Sequence, residues 1–349
     1  MADGRRGAAL DLFRLAAVML VVANHTSPLV SVSPLWDFWF TRVLARVAVP
    51  FFLMVSGYFL AKDQWRRTGV FLKKTCLLYG AAVLLYLPLN WYNGGYGPAE
   101  WVKKLLLDGT FYHLWYFPGV ILGVLVARGL LRLGPRTALT AAGLLYLVGL
   151  GGDSYYGLTT QIPVLKTMYD GMFQVFSYTR NGIFLVPIFL MIGVWFAKVE
   201  RENTVQNDSY WEMSEPKRWN RKRAGLGLLI SLVLMTVEGF ALHAADWQRH
   251  DSMYVMLPIV MIFLYIWICA KPQEPSKKLR SLSTWIYILH PAVIVVVHAL
   301  PGSLGKEIAG NSLLNYVAVV IGTCIISIFG MYVTHRISHG FDLHVRRNK

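Results

Sequence analysis

The chain has 349 residues, of which 55% are hydrophobic, 14% aromatic and only 15% charged, with a formal net charge of +15 and a mean hydropathy of +0.46. A soluble domain carries nearer a quarter charged residues, and here the apolar residues lie in blocks of roughly 18–25, each able to cross ~30 Å of hydrocarbon as a helix. That excludes a soluble globular enzyme, a disordered chain and a secreted disulfide scaffold. The pattern predicts an all-α polytopic membrane helix bundle.

Ten spans are expected, at about 8–27, 38–61, 73–92, 113–131, 137–152, 181–199, 224–244, 253–270, 283–300 and 313–335. The first starts basic and turns apolar, as a signal peptide does. Asp11 and Arg14 interrupt it and no small-residue cleavage site follows, so a retained span is expected. The fifth, 137–152, is the weakest, being short and ending in Gly151 and Gly152. The longest polar stretch, 200–223, reads as a cytoplasmic loop too short for a domain of its own. One integral-membrane domain is therefore expected over 1–349. No repeat with a period of 20–50 residues is visible. Cys76, Cys269 and Cys324 sit in or beside apolar segments and read as buried spectators rather than a disulfide framework.

The basic residues sort by side. With the N-terminus cytoplasmic, 25 of the 34 Lys and Arg fall in inner segments and six in outer loops, whereas acidic residues split nine to eight. Only Lys and Arg obey the positive-inside rule, so the asymmetry is a topology signal. Both termini are expected in the cytoplasm. The net charge needs no nucleic-acid partner, because the inner leaflet explains it.

Five charges remain inside spans: Asp11, Arg14, Arg42, Arg46 and Glu238. Each costs about 2.5–3.5 kcal/mol at a helix centre, so each should pair or line a cavity. Asp11 and Arg14, three apart, can neutralise each other. Arg42 is near enough to its span end to snorkel, and Arg46 can pair with Glu238, which lies at matching depth. His25 follows Arg14 by eleven residues, which on a helix is about 16 Å and within about 20° of the same face. A cation low and an imidazole high on one helix suit a phosphate-bearing donor below and deprotonation of an acceptor hydroxyl above. The competing reading of His25 is an interfacial side chain making one hydrogen bond.

Arg14-LAAVMLVVAN-His25 resembles the signature of the acyltransferase-3 family of integral-membrane acyltransferases. RVAVPFFLMVSGYFL from Arg46, HLWYFPGVILG from His113, RNGIFLVPIFLMIG from Arg180, and STWIYILHPAVI with Tyr287 and His290 fit the same family in order. Within it, FLKKTCLLYGAAVLLYLPLN and YTRNGIFLVPIFLMIG resemble the membrane domain of the serine racemases of vancomycin-resistance clusters. Those proteins carry a pyridoxal-phosphate racemase after the membrane part. With the sequence ending at Lys349, neither racemisation nor pyridoxal phosphate is expected here. The family's R-x-x-R at the start of the third span is replaced by Lys73-Lys74-Thr75-Cys76-Leu77, giving point charges without the bidentate fork of arginine.

The resemblance implies transfer of an acyl group, often acetyl, from cytoplasmic acyl-coenzyme A to a hydroxyl or amine of a carbohydrate or other cell-envelope acceptor. His25 is then the general base, Arg14 with Lys73 and Lys74 holds the donor, and Arg46 stabilises an oxyanion. Acceptor contacts are expected from His113, Trp115, Tyr116, Arg180, Asn181, Glu238, Tyr287 and His290. Each has a plainer alternative: an aromatic belt for Trp115 and Tyr116, snorkelling for Arg180, and a polar lock between helices for Tyr287 and His290. His335 and His339 are four apart, but no metal site is expected there. No H-E-x-x-H, G-x-S-x-G, Walker loop or Cys cluster occurs.

The expected partners are the lipid bilayer and a small-molecule or glycan acceptor. A second function remains open from the sequence, a permease for a small amino acid such as serine. It would be expected to use broken helices, and the first span has no Gly or Pro to break it.

Overall fold

The computed structural model of the chain describes residues 2–208, 220–270 and 276–347, with side chains over 10–202, 220–270 and 276–336 apart from 304, 309 and 335. Residues 209–219 of the expected 200–223 loop therefore lie outside the described residues, as do the side chains of His335 and His339.

Among the described residues the structure is helical, without strands. In chain order the helices are α1 (Ala2–Thr26), α2 (Pro34–Lys62), α3 (Thr68–Tyr92), α4 (98–108), α5 (Tyr116–Leu133), α6 (Pro135–Gly151), α7 (Tyr156–Thr159), α8 (Pro163–Val175), α9 (Val186–Asp208), α10 (Arg221–Ala244), α11 (Leu257–Cys269), α12 (Lys277–His298), α13 (Gly302–Gly310) and α14 (Ser312–Arg347). Six stretches are long and apolar enough to cross a membrane: α2, α3, α5, α10, α12 and residues Ser312–Thr334 of α14. The chain is a multi-pass membrane protein. The other expected spans also carry helices, but α11 has only 13 residues and α6 only 17.

The helix starts follow local chemistry. Ser276 caps α12 by accepting from the Leu279 N–H at 3.3 Å, and Asn220 caps α10 by accepting from Arg223 at 3.1 Å. Pro34, Pro98, Pro135, Pro163 and Pro258 stand in first turns, where a missing N–H costs nothing. α2 is irregular. A π-helical stretch (Phe38–Val43) and a 3₁₀ turn (Leu44–Val47) precede the regular helix from Ala48. Pro50 lacks the N–H that would bond the Arg46 carbonyl, so the regular ladder starts only beyond it.

The helices group into two compact units. One comprises residues 1–41 and 271–349, the other Arg42–Ala270. In the first, α1, α12 and α14 pack together. Its loop 27–33 is latched to α14: the Ser312 hydroxyl donates to the Pro28 carbonyl at 2.7 Å and lies 2.6 Å from the Ser31 hydroxyl. In the second, α2 and α9 make the tightest helix pair. A Cβ on Gly57 would collide with the Leu190 carbonyl, and one on Gly193 with that of Met54, so the two glycines let the backbones touch.

α3 buries only a narrow stripe, Thr75, Tyr79, Ala82, Tyr86 and Asn90. Cys76 falls off that stripe and is exposed, whereas Cys269 is buried and Cys324 half-buried. The expectation of three buried thiols is corrected accordingly.

Candidate active site

In the first unit, α1 and α12 run side by side in the same direction. Asp11 accepts the backbone N–H of Ser276 at 3.1 Å, and His25 stacks on His290 with ring centroids 5.4 Å apart and planes 27° apart. Asp11 precedes His25 by fourteen residues, as Ser276 precedes His290. The two helices are therefore in register over about 21 Å. Arg14 pairs with Asp11 at 3.3 Å, as its spacing allowed, and Arg280 reaches the same carboxylate at 3.4 Å. Two guanidiniums share one buried carboxylate.

The sequence around His290 sets its chemistry. Pro291 cannot donate to the Tyr287 carbonyl one turn back, so the helix leaves that acceptor open. The Nδ1–H of His290 donates to it at 2.8 Å and lies 3.1 Å from the Ile286 carbonyl. A carbonyl can only accept, so Nδ1 carries the proton and the lone pair is on Nε2. Tyr287 is buried, its ring 6.1 Å from that of His290. His25, Tyr287 and His290 thus come together, with Arg14 at the other end of the same helix pair.

The second unit gathers a different set. Arg42 and Arg46 are four apart, and both reach Asp251, Arg42 at 3.6 Å and Arg46 through a short ion pair. The Arg46–Glu238 pairing expected from depth is corrected. Glu238 instead accepts from the Tyr155 hydroxyl at 2.7 Å and from the Val255 and Met256 N–H groups at 2.6 and 3.0 Å. It caps the start of α11, which Pro258 opens, and a carboxylate at a helix N-terminus is favoured by the dipole. Burial opposes the ionisation of Asp251, but Arg46 and Arg42 outweigh it and hold its pKa below the ordinary carboxylate value.

Arg180 is sunk between rings, its guanidinium 5.3 Å from the Trp115 centroid and 4.4 Å from that of Tyr178. Burial and then the nearby Arg46 charge lower its pKa. Asp153 follows α6 and is fully buried. Its Oδ1 accepts from the Ser252 and Met253 N–H groups at 2.7 and 3.1 Å and from the Ser154 hydroxyl at 3.0 Å. Burial raises Asp153 to about 7, against the opposing pull of the Ser252 N–H and Arg180. His250 packs on Tyr178 at 4.6 Å, and burial, then Arg180 and Arg249, push it down to about 4.

The remaining expected contacts are more dispersed. His113 is buried, edge-on to Tyr86 at 5.0 Å and to Phe111 at 5.9 Å. Tyr116 opens α5 half-buried, beside Phe117. Asn181 is committed to its own turn. Its Oδ1 accepts from Ile183 and Phe184 at 2.9 and 3.1 Å, and its Nδ2 donates to the Tyr178 carbonyl at 2.9 Å. Lys73 and Lys74 are exposed on the first turns of α3.

Sequence reasoning missed Asp153, His250, Asp251 and Arg280. A signal existed for Asp251: two arginines four apart on one helix face need a carboxylate, and the short 245–252 loop holds two. Nothing local marked Asp153.

The "Acyltransferase domain" family profile matches residues 8–333. The chain belongs to the acyltransferase-3 family. Two similar curated proteins are an amino-acid racemase of Enterococcus faecalis, 37% identical over 336 residues, and a serine/alanine racemase of Enterococcus gallinarum, 37% identical over 328. The alignments take in 92% and 90% of this chain but 45% and 44% of those proteins, so the chain spans under half the length of the curated relatives it matches. No solved structure matches it. This acyltransferase-3 chain therefore resembles its racemase-named relatives over the portion that the family profile describes.

Proposed function

We propose that the protein transfers an acyl group, in the form of acetyl, from acyl-coenzyme A on the cytoplasmic side to a hydroxyl or amine of an acceptor in the cell envelope. The observation that carries this reading is the stacked His25–His290 pair, with the His290 tautomer set by its own helix. In the first step, a lone pair on an imidazole nitrogen of this pair takes the acceptor proton. Stacking shares the resulting positive charge, and a proton taken by His25 is further favoured at the C-terminal end of α1.

Acyl-coenzyme A supplies the activated carbonyl. The residues that fit its phosphates are cationic: Arg14 and Arg280, gathered on the Asp11 carboxylate, and the exposed Lys73 and Lys74. All four belong to segments that the expected ten-span topology, with both termini cytoplasmic, assigns to the donor's side. Arg46, fixed by Asp251, is assigned to negative charge on the acceptor side, either on the ligand or developing at the carbonyl. The names of the relatives make a small amino acid one candidate acceptor. The similarity findings lend no support to the permease reading.

Membrane vesicles carrying the protein are expected to move radiolabel from acetyl-coenzyme A to an acceptor, and His25→Ala vesicles with equal amounts of inserted protein to lose that transfer. Transfer at the wild-type rate in His25→Ala overturns the mechanism.

A further inference from the structure

Two ionisable side chains in the Arg42–Ala270 unit each bury a polar atom without a hydrogen-bond partner. The Oδ1 of Asp153 is fully used, but its Oδ2 is buried without a hydrogen-bond partner. Arg180 has a buried Nε likewise without a partner, and its described neighbours are rings rather than carboxylates. Leaving such atoms unsatisfied is costly, and more so for charged groups. The Arg180 guanidinium packs on Tyr178, whose ring lies 4.6 Å from that of His250, and the His250 carbonyl accepts from the hydroxyl of Ser154, next to Asp153, at 3.2 Å, so both groups belong to one buried cluster.

The local charge is also unbalanced. Arg42, Arg46 and Arg180 face Asp153 and Asp251, and His250 is neutral near pH 7. At least one positive charge is left over beside an acid with an open oxygen. A ligand that carries an oxyanion and a hydrogen-bond donor would complete both.

We propose that Arg180, backed by Arg46, binds the oxyanion of a small hydroxy or amino acid, and that the Oδ2 of Asp153 accepts from the hydroxyl or ammonium of the same molecule. The guanidinium fork suits a carboxylate, and the Trp115 and Tyr178 rings hold it in place. That this ligand is the acyl acceptor rests on the reading above; that it binds does not.

The test is calorimetric titration of the full chain in lipid nanodiscs with four probes: lactate, alanine, propionate and ethanolamine. Lactate or alanine, which carry both groups, are expected to bind saturably. Propionate lacks the donor and ethanolamine the anion, and each should bind about tenfold more weakly or worse. Arg180→Gln should weaken the better ligand by about thirtyfold at an unchanged melting temperature, with Arg180→Lys between. Asp153→Asn should narrow the gap between lactate and propionate, which keeps the proposal testable where an Arg180 variant does not fold. Saturable binding of none of the probes, or unchanged binding in well-folded Arg180→Gln, overturns it. Ligand binding without any transfer from acetyl-coenzyme A would refute the acyltransferase reading and leave this site standing. Transfer unaffected in an Arg180→Gln variant that no longer binds lactate or alanine would leave the site standing and refute its ligand as the acyl acceptor.

Discussion

His290 stacks on His25 at 5.4 Å between ring centroids, while its Nδ1 closes the Tyr287 carbonyl that Pro291 leaves without a donor. A proline inside a helix is ordinarily a defect of about 3 kcal/mol. Here the defect is filled by the side chain that precedes it, and the filling fixes a tautomer. In the proposed mechanism the two imidazoles act as one unit. His25→Ala and His290→Ala should each lower the initial rate of acyl transfer by about a hundredfold or more, and the double variant should be little worse than either single one. Additive losses would show that the rings work separately.

Pro291→Ala restores an N–H that competes for the Tyr287 carbonyl. The His290 ring should then lose its fixed tautomer, and the rate should fall several-fold with a shifted pH profile while the protein stays folded. An unchanged profile would remove the role assigned to Pro291.

Arg46 couples to Asp251, not to Glu238. In a double-mutant cycle read by thermal denaturation, Arg46 and Asp251 should show a coupling of about 1–3 kcal/mol, and Arg46 with Glu238 under about 0.5 kcal/mol. Asp251→Ala alone should cost about 3 kcal/mol, because two guanidiniums then lose their shared carboxylate.

Asp153 and His250 pull the pH dependence of stability in opposite directions. Asp153 is raised to about 7, so the folded state holds a proton that the unfolded state releases from 3.8 upward, and stability falls as pH rises toward 7. His250 is depressed to about 4, so its contribution is complete above 6.5 and is lost as pH falls through 4. The two slopes oppose each other between about 4 and 6.5. Denaturation midpoints of the wild type should change little from these two groups in that range. Those of Asp153→Asn should rise with pH relative to wild type, and those of His250→Gln should fall. Parallel curves for all three would sink the assignment.

Gly193 presses on the Met54 carbonyl and Gly57 on that of Leu190. Gly193→Val should therefore separate α2 from α9 at a cost of about 1–3 kcal/mol, seen as a lower melting temperature. Gly171, with open space around it, serves as the control, and Gly171→Ala should be near neutral.

Lys73→Gln with Lys74→Gln is expected to raise KM for acyl-coenzyme A with kcat held, since exposed lysines bind phosphates as point charges without touching the chemistry. A fall in kcat alone would place them elsewhere in the cycle.

Sequence alone determined the solvent. Blocks of apolar residues and the sorting of Lys and Arg specify helices in lipid, because both depend on chain-local quantities: length against bilayer thickness, and charge against the inner leaflet. It also determined that Arg14 and His25 share a helix face and that Asp11 and Arg14 can pair, since helical geometry fixes neighbours three, four and eleven residues apart. Tertiary structure alone decided the partners across the chain. Depth in the membrane made Arg46 and Glu238 look matched, but depth is one coordinate of three, and Asp251 holds the arginine while Glu238 caps α11. The His25–His290 stack and the hydrogen bond from the Ser252 N–H to Asp153 arise in the same way. Each joins segments far apart in sequence, whose meeting is set by how whole helices pack and by no pattern within either.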